Sequence, residues 1–349
     1  MTALDSPRDR LAWFYAARSN TPFVKQYSVR DTRVNSLYFA NPEAANIFGT
    51  IHGGRIMRWM TSTASIAATK VAAGPVLLAH VDDVFFVNPV LLGEVLDVSS
   101  WVEYVGTSSM EAAVKVTSKS PIGEGEKLTT YSYMAFVAVD DCEKPRKILA
   151  TLAPLSEEEA VYRMAEERRR SRLKQLGDKA ARLTDIGPYA PAARWRADSA
   201  RMVFPDDTVY KGIMFAGRLL FIMDEQAGYV ADSFARQVCV TASVDSMDFN
   251  GPIYVGDFLE FSAALTYVGR SSAEVGVKVV SSSPASGEKK HVGTGFFTYV
   301  ALKAQGQTSM MPSYTPETSE ERRTWEVAEA RRRDRLDRLK RFRSSVANA

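Results

Sequence analysis

One relation limits what this chain can fold into more than any other: its two halves read in register, without gaps, at a constant offset of 163 positions. Pro42-Glu43 meets Pro205-Asp206, Gly49 meets Gly212, and Gly54-Arg55 meets Gly217-Arg218. Further on, Asp82 meets Asp245, Pro89 meets Pro252, and Val105-Gly106 meets Val268-Gly269. The match extends to Arg168-Arg169-Arg170 against Arg331-Arg332-Arg333. Chance does not sustain such agreement, so the chain is a tandem duplication of one domain with an appended basic segment. Its 349 residues are enough for two domains with proper cores.

Each copy spells the same order of elements. A short extended segment (Val34–Ala40, Ala200–Phe204) leads into a polar loop. A helical pattern follows, from Gly54 to about Val71 and from Gly217 to about Phe234. Next come four runs rich in Val, Phe, Tyr and Thr, at Leu78–Val87, Val95–Tyr104, Glu111–Ser118 and Leu128–Val139. The second copy repeats them at Val238–Phe249, Phe258–Tyr267, Glu274–Ser281 and His291–Ala301. One long apolar helix beside meandering strands predicts an α+β layer in which an antiparallel sheet wraps the helix. A half with one helix covers only one sheet face, so two halves set edge to edge complete the structure.

After each copy comes a charged segment, Ser156–Leu176 and Ser319–Phe342. Each has acids near its start and turns basic later, as a helix dipole favours. The arginines read as a polyanion contact or as a solvated bracing helix; interspersed Glu and Asp favour the brace. The expected division is an N-terminal extension over 1–30, a first domain over 31–150, a charged linker over 151–196, a second domain over 197–305 and a charged C-terminal helix over 306–349.

Composition removes several function classes. An apolar fraction of 46% and a charged fraction of 24% are those of a soluble globular protein. A net charge of +3 is small for this length and gives no argument for nucleic acid. Two cysteines, Cys142 and Cys239, make neither a disulfide framework nor a metal spacing. No apolar run approaches the roughly 20 residues of a membrane helix. The stretch Met1 to Arg10 lacks the apolar region of a secretory signal, and Asp5 and Asp9 count against a mitochondrial leader despite Arg8, Arg10 and Arg18. A cytoplasmic location is the expectation, with a mitochondrial one as the weaker alternative.

The loop before the first helix carries the chemistry. In Ala45-Asn46-Ile47-Phe48-Gly49-Thr50-Ile51-His52-Gly53-Gly54 a polar loop runs into a Gly-Gly pair at a helix mouth. Backbone N–H groups there have no intrahelical partner, and glycine lets a ligand approach them. The stretch therefore offers an oxyanion or phosphate contact beside the amide of Asn46.

Loop, helix and strands, taken together, resemble the double hotdog-fold acyl-CoA thioesterases. Ile222-Met223-Asp224-Glu225-Gln226-Ala227-Gly228 is similar to that family's Met-Asp-Glu-x-Ala-Gly helix, and the Asn46 to Gly54 stretch to its asparagine loop. Thr241-Ala242-Ser243-Val244-Asp245 and Phe296-Phe297-Thr298-Tyr299-Val300 resemble its second-domain strands. The resemblance spans roughly Val34 to Ala301. It implies hydrolysis of acyl-CoA to fatty acid and CoA at a site between the halves, without metal or organic cofactor, in a homo-oligomer, a trimer of double hotdogs. Carried over, Asn46 matches the amide that orients water or thioester, Asp224 the acid that activates the water or attacks directly, and the Gly53 N–H the donor that polarises the carbonyl. His52 and Gly54 border this site; His52 fits a general acid or a structural hydrogen bond equally. Arg270, in a turn after a strand, is a candidate contact for a CoA phosphate.

The repeat adds its own argument. Asn46 has Val209 as counterpart, Asp224 has Thr61, and His52-Gly53 has Phe215-Ala216. Of two symmetry-related sites, one keeps every polar group and the other has lost them. His80 and His291 lie in strand-like runs and read as structural; Ser243 and Ser246 lack the Gly-x-Ser-x-Gly elbow. The alternatives are a non-catalytic acyl-CoA binding protein, or a hotdog hydratase or dehydratase, which would want a His–acid pair at the acyl group.

Overall fold

The computed structural model describes residues 25–123, 125–176, 185–303 and 306–347. The first 24 residues of the expected N-terminal extension, and 177–184 of the expected linker, lie outside them. The first half contains β1 (Val34–Phe39), α1 (Gly53–Ala72), β2 (Val76–Val81), β3 (Val84–Phe85), β4 (Val95–Val105), β5 (Ser109–Lys119), β6 (Glu126–Ala138) and α2 (Glu159–Leu176). The second contains β7 (Arg196–Met202), α3 (Ala216–Ala235), β8 (Cys239–Val244), β9 (Met247–Asp248), β10 (Phe258–Val268), β11 (Ser272–Ser282), β12 (Lys289–Ala301) and α4 (Ser319–Ala347). The two core helices and the long strands fall where periodicity puts them, to within two residues, while the first charged helix begins three residues later (Glu159) and the second ends five residues later (Ala347) than expected. The opening strand of the second half lies earlier than expected, at Arg196–Met202 instead of Ala200–Phe204, because it pairs in full with Ala264 to Phe258 of β10.

Each half is a hotdog: a twenty-residue helix on an antiparallel sheet. α1 buries Ile56, Met57, Met60, Ala64, Ala67, Ala68 and Val71, the helical spacing of a core-facing stripe. It packs on β4 and β5, α3 packs on β10 and β11, and the two helices pack on each other. The first helix ends at Ala73 in the left-handed region (φ 50°), and Arg146 covers the exposed end by donating to the Ala72 carbonyl over 2.7 Å.

The halves exchange strands. One sheet runs β9-β2-β6-β5-β4-β1 and the other β3-β8-β12-β11-β10-β7, so each takes its last two-residue strand from the opposite half. The runs Leu78–Val87 and Val238–Phe249, expected as single strands, are each broken where the chain crosses between sheets. The breaks carry Asp82-Asp83 and Asp245-Ser246, whose backbones turn to other partners: the Asp82 N–H to Tyr133, the Asp245 N–H to Phe296, and the Ser246 N–H to the Asp83 carboxylate across the seam. His80 locks one crossing, with Nδ1 2.6 Å from Asp248 and Nε2 3.3 Å from Asp82.

The charged helices brace the sheets. Buried Glu111 takes a two-pronged contact from Arg172, and Arg168 reaches Glu103. Equivalently, Arg331 and Arg335 close on Glu274, while Arg338 pairs with Asp83 of the first half and Asp245 of the second. Of the repeated arginines, Arg168 and Arg331 therefore face buried carboxylates, while Arg170 and Arg333 stay exposed and pair within their own helices.

Candidate active site

The site grows from a close crossing of two helix segments. α1 begins at Gly53, after His52 in extended conformation, and its mouth abuts the middle of α3. A Cβ at Gly53 would stand 2.7 Å from the Thr241 Cβ; one at Gly54 would stand 2.9 Å from Asp224 Oδ2 and 3.1 Å from the Phe221 backbone. Only glycine at both positions lets the acid approach the helix mouth this closely.

Asp224 fills the gap that results. Its side chain is 0% exposed and is surrounded by donors from both halves. The Gly54 N–H donates to Oδ2 over 2.6 Å, and Thr241 Oγ1 lies 3.0 and 3.1 Å from the two oxygens. The Tyr299 hydroxyl sits 2.6 Å from Oδ1 and from the Asp224 carbonyl. Burial, and then the Asp224 charge, push the Tyr299 hydroxyl well above its ordinary range, so it holds its proton and donates. A carboxylate this deep is tolerated because donors meet it on every side. His52 Nδ1 stands 3.1 Å from Oδ2 but out of hydrogen-bond alignment, its ring edge-on to Phe221.

Beside this cluster opens a cavity of about 570 Å³, lined among others by Asn46, His52, Gly53, Thr241 and Cys239. The Gly53 N–H, at its edge, meets no acceptor among the described residues. Asn46 shapes its own loop: its Oδ1 accepts from the Phe48 and Thr50 N–H groups at 3.0 and 3.2 Å, and its Nδ2 donates to Thr50 Oγ1 at 2.7 Å. Thr241 stands where the acid and the cavity meet. Burial and the nearby Asp232 push the Cys239 thiol up to about 12, which leaves it a poor nucleophile.

The predicted residues are thus only partly gathered. Asn46, His52 and Gly53 line one cavity, and Asp224 lies behind Thr241 and Gly54. The Gly54 N–H is turned to Asp224, not to the cavity. Arg270 is exposed in the β10–β11 turn and lines neither this cavity nor the one described next. Thr241 and Tyr299, which the sequence shows only as strand residues, join the site. Their signal was in the repeat: they are cross-strand partners on β8 and β12, and their counterparts Leu78 and Phe136, partners on β2 and β6, have lost both hydroxyls.

The counterpart of the whole site is a second cavity of about 1020 Å³, lined by Thr61, Leu78, Val209, Phe215 and Ala216 at the equivalent places. There the Phe215 ring lies where a Cβ on Gly217 would fall, and Thr61 turns its hydroxyl to the Met57 carbonyl at 2.9 Å.

Comparison with known proteins agrees with this doubling. A family model described as the Thioesterase superfamily matches residues 48–123 and again 211–288. Acyl-coenzyme A thioesterase 11 of Mus musculus is 28% identical over 319 residues, which cover 88% of this chain and 53% of that protein. The cytosolic acyl coenzyme A thioester hydrolase of Homo sapiens is 28% identical over 315 residues, 83% of this chain and 80% of that one. An uncharacterized acyl-CoA thioester hydrolase of Bacillus subtilis is 39% identical over 147 residues, 42% of this chain and 85% of its own length. This chain spans about half the length of the mouse protein.

Proposed function

Because the chain belongs to the thioesterase superfamily and carries its domain twice, we propose that it hydrolyses acyl-CoA thioesters to free fatty acid and CoA at one composite site between the halves. The observation that carries this reading is the Asp224 carboxylate of the second half, bound to the helix mouth of the first and touching Thr241 at the cavity wall.

In this mechanism Asp224 is the general base. Thr241 passes its hydroxyl proton to Asp224 as it takes one from a water held in the cavity, and the resulting hydroxide attacks the thioester carbonyl. The carbonyl oxygen, now negative, is met by the Gly53 N–H at the positive end of α1; one such donor typically contributes about 3–4 kcal/mol. Collapse expels the CoA thiolate, which recovers the proton along the same path. Tyr299 and the Gly54 N–H hold the carboxylate in place throughout. Asn46 keeps the loop shaped for the thioester, and His52 borders the acyl group. Arg270 is proposed as a contact for a CoA phosphate. None of these steps calls on a metal or organic cofactor.

The test is steady-state thiol release from acyl-CoAs of graded length for wild type, Asn46→Ala, Asp224→Ala and Thr61→Ala. Loss of about a hundredfold or more in the first two variants, with Thr61→Ala near wild type, supports one composite site. Saturable binding without turnover in the wild type would leave a binding protein. A second reading draws on the closeness of His52 to Asp224: hydration of an enoyl thioester, checked by loss of enoyl absorbance.

Location and assembly belong to the same proposal. A cytoplasmic site is favoured by the name of the human relative. A homo-oligomer is favoured by apolar side chains on the outer strands, Leu37 and Phe39 on β1 (69% and 60% exposed) and Phe204 just after β7; a trimer is the proposed state, and light scattering decides it.

A further inference from the structure

The larger cavity has no hydrolytic machinery and yet is built to bind. Its walls are apolar, with Val76, Leu78, Phe215, Leu219, Ile253 and Val292 among them, and its volume of about 1020 Å³ exceeds that of the site beside Asp224. Such a volume lies at the upper end for ligand pockets. Three arginines, Arg55, Arg58 and Arg218, stand in its lining.

Two of the three are engaged. Arg218 pairs with Asp207 at 2.9 Å, and Arg201 holds the other oxygen of that carboxylate. Arg55 lies over the Phe221 ring and donates to the Glu43 carbonyl. Arg58 makes no hydrogen bond, ion pair or ring contact with any described residue, although it is half-buried. Burial, then the charges of Arg218 and Arg55, depress its pKa, and the weaker pull of Asp207 and Asp206 does not make up the difference. Its counterpart in the repeat is Phe221, so this charge belongs to the altered side alone.

We propose that this cavity binds a long-chain carboxylate, chain along the apolar wall and head on Arg58, and does not turn it over. A planar carboxylate matches the guanidinium fork. A polyanionic head such as that of CoA fits less well, because Asp206, Asp207 and Glu143 also line the mouth. Thr61, Leu78, Phe136 and Val209 stand where the other site has Asp224, Thr241, Tyr299 and Asn46, so the acid, its two hydroxyl partners and the amide have no counterparts on this side. That the carboxylate is the enzyme's own product rests on the proposed hydrolysis; the binding itself does not.

The experiment is calorimetric titration of palmitate, with tryptophan fluorescence as a second readout, since Trp59 lines the cavity stacked 4.7 Å from Tyr38. Wild type, Arg58→Ala, Arg58→Lys and Val209→Trp are compared, and each is assayed on a short acyl-CoA. Saturable binding that weakens by about tenfold or more in Arg58→Ala and Val209→Trp, and is partly restored in Arg58→Lys, with hydrolysis unchanged, is the expected result. Equal binding by all variants would place the carboxylate elsewhere and overturn the proposal. So would displacement by CoA alone, which marks a nucleotide pocket, or a parallel fall in hydrolysis, which makes the cavity part of the catalytic site. A wild type that binds palmitate and hydrolyses nothing sinks the thioesterase reading and leaves this one standing.

Discussion

The Gly54 amide donates to the Asp224 carboxylate over 2.6 Å across 170 positions of sequence, and no side chain larger than hydrogen fits between them. The helix mouth of one half and the acid of the other are thereby one unit.

Gly54→Ala, which presses a Cβ on Asp224 and on the Phe221 backbone, is expected to destabilise by about 1–3 kcal/mol and to cut kcat/KM by about a hundredfold or more. Gly53→Ala meets Thr241 and follows the same pattern. Ala216→Gly, at the counterpart of Gly53, leaves kcat/KM near wild type. Equal activity for all three would show that close approach does not matter.

Thr241→Val keeps the shape of the cavity wall and removes the hydroxyl. Its kcat should fall by about a hundredfold with little change in melting temperature. Tyr299→Phe removes one donor to Asp224 and should cost about tenfold in kcat. Phe136, at the same place in the other half, shows that the strand accepts the ring. Paired kinetics and melting curves separate the two effects.

Glu274 is buried between Arg331 and Arg335. Glu274→Ala strands those guanidinium groups and should cost about 3–5 kcal/mol in urea unfolding, without a specific change in KM. A cost near zero would mean that α4 does not brace the sheet.

Burial lowers the pKa of His80, but contacts with Asp248 and Asp82 outweigh it and raise the net value above the ordinary 6.5. Its contribution is therefore full below that value and is lost as pH rises through the raised one. The urea midpoint of the wild type should decline more steeply from about pH 6 to pH 9 than that of His80→Gln. Parallel curves would show that His80 does not hold the crossing as a cation.

Much of this was legible in the sequence, and the gaps have physical causes. Helix and strand periodicity locate α1, α3 and the long strands, since a 3.6 or 2.0 repeat is a local property. The strand exchange was not legible, because Leu78–Val87 alternates in the same way whichever sheet its end joins. Thr241 and Tyr299 look ordinary in strands, which favour Thr and Tyr for other reasons. Only their joint replacement by Leu78 and Phe136 marks them. Asn46 holds its loop, a turn role that its residue type also suggests.

The exchanged strands also set a schedule for synthesis. His80 waits for Asp248, 168 positions later, and β2 lacks its outer neighbour β9 until then. At roughly 5–20 residues per second, that leaves a bare strand edge on the nascent chain for about 8 to 34 seconds. The polypeptide is most open to capture by holdases, or to pairing with a neighbouring nascent copy, in the later part of that interval, once its first half is complete.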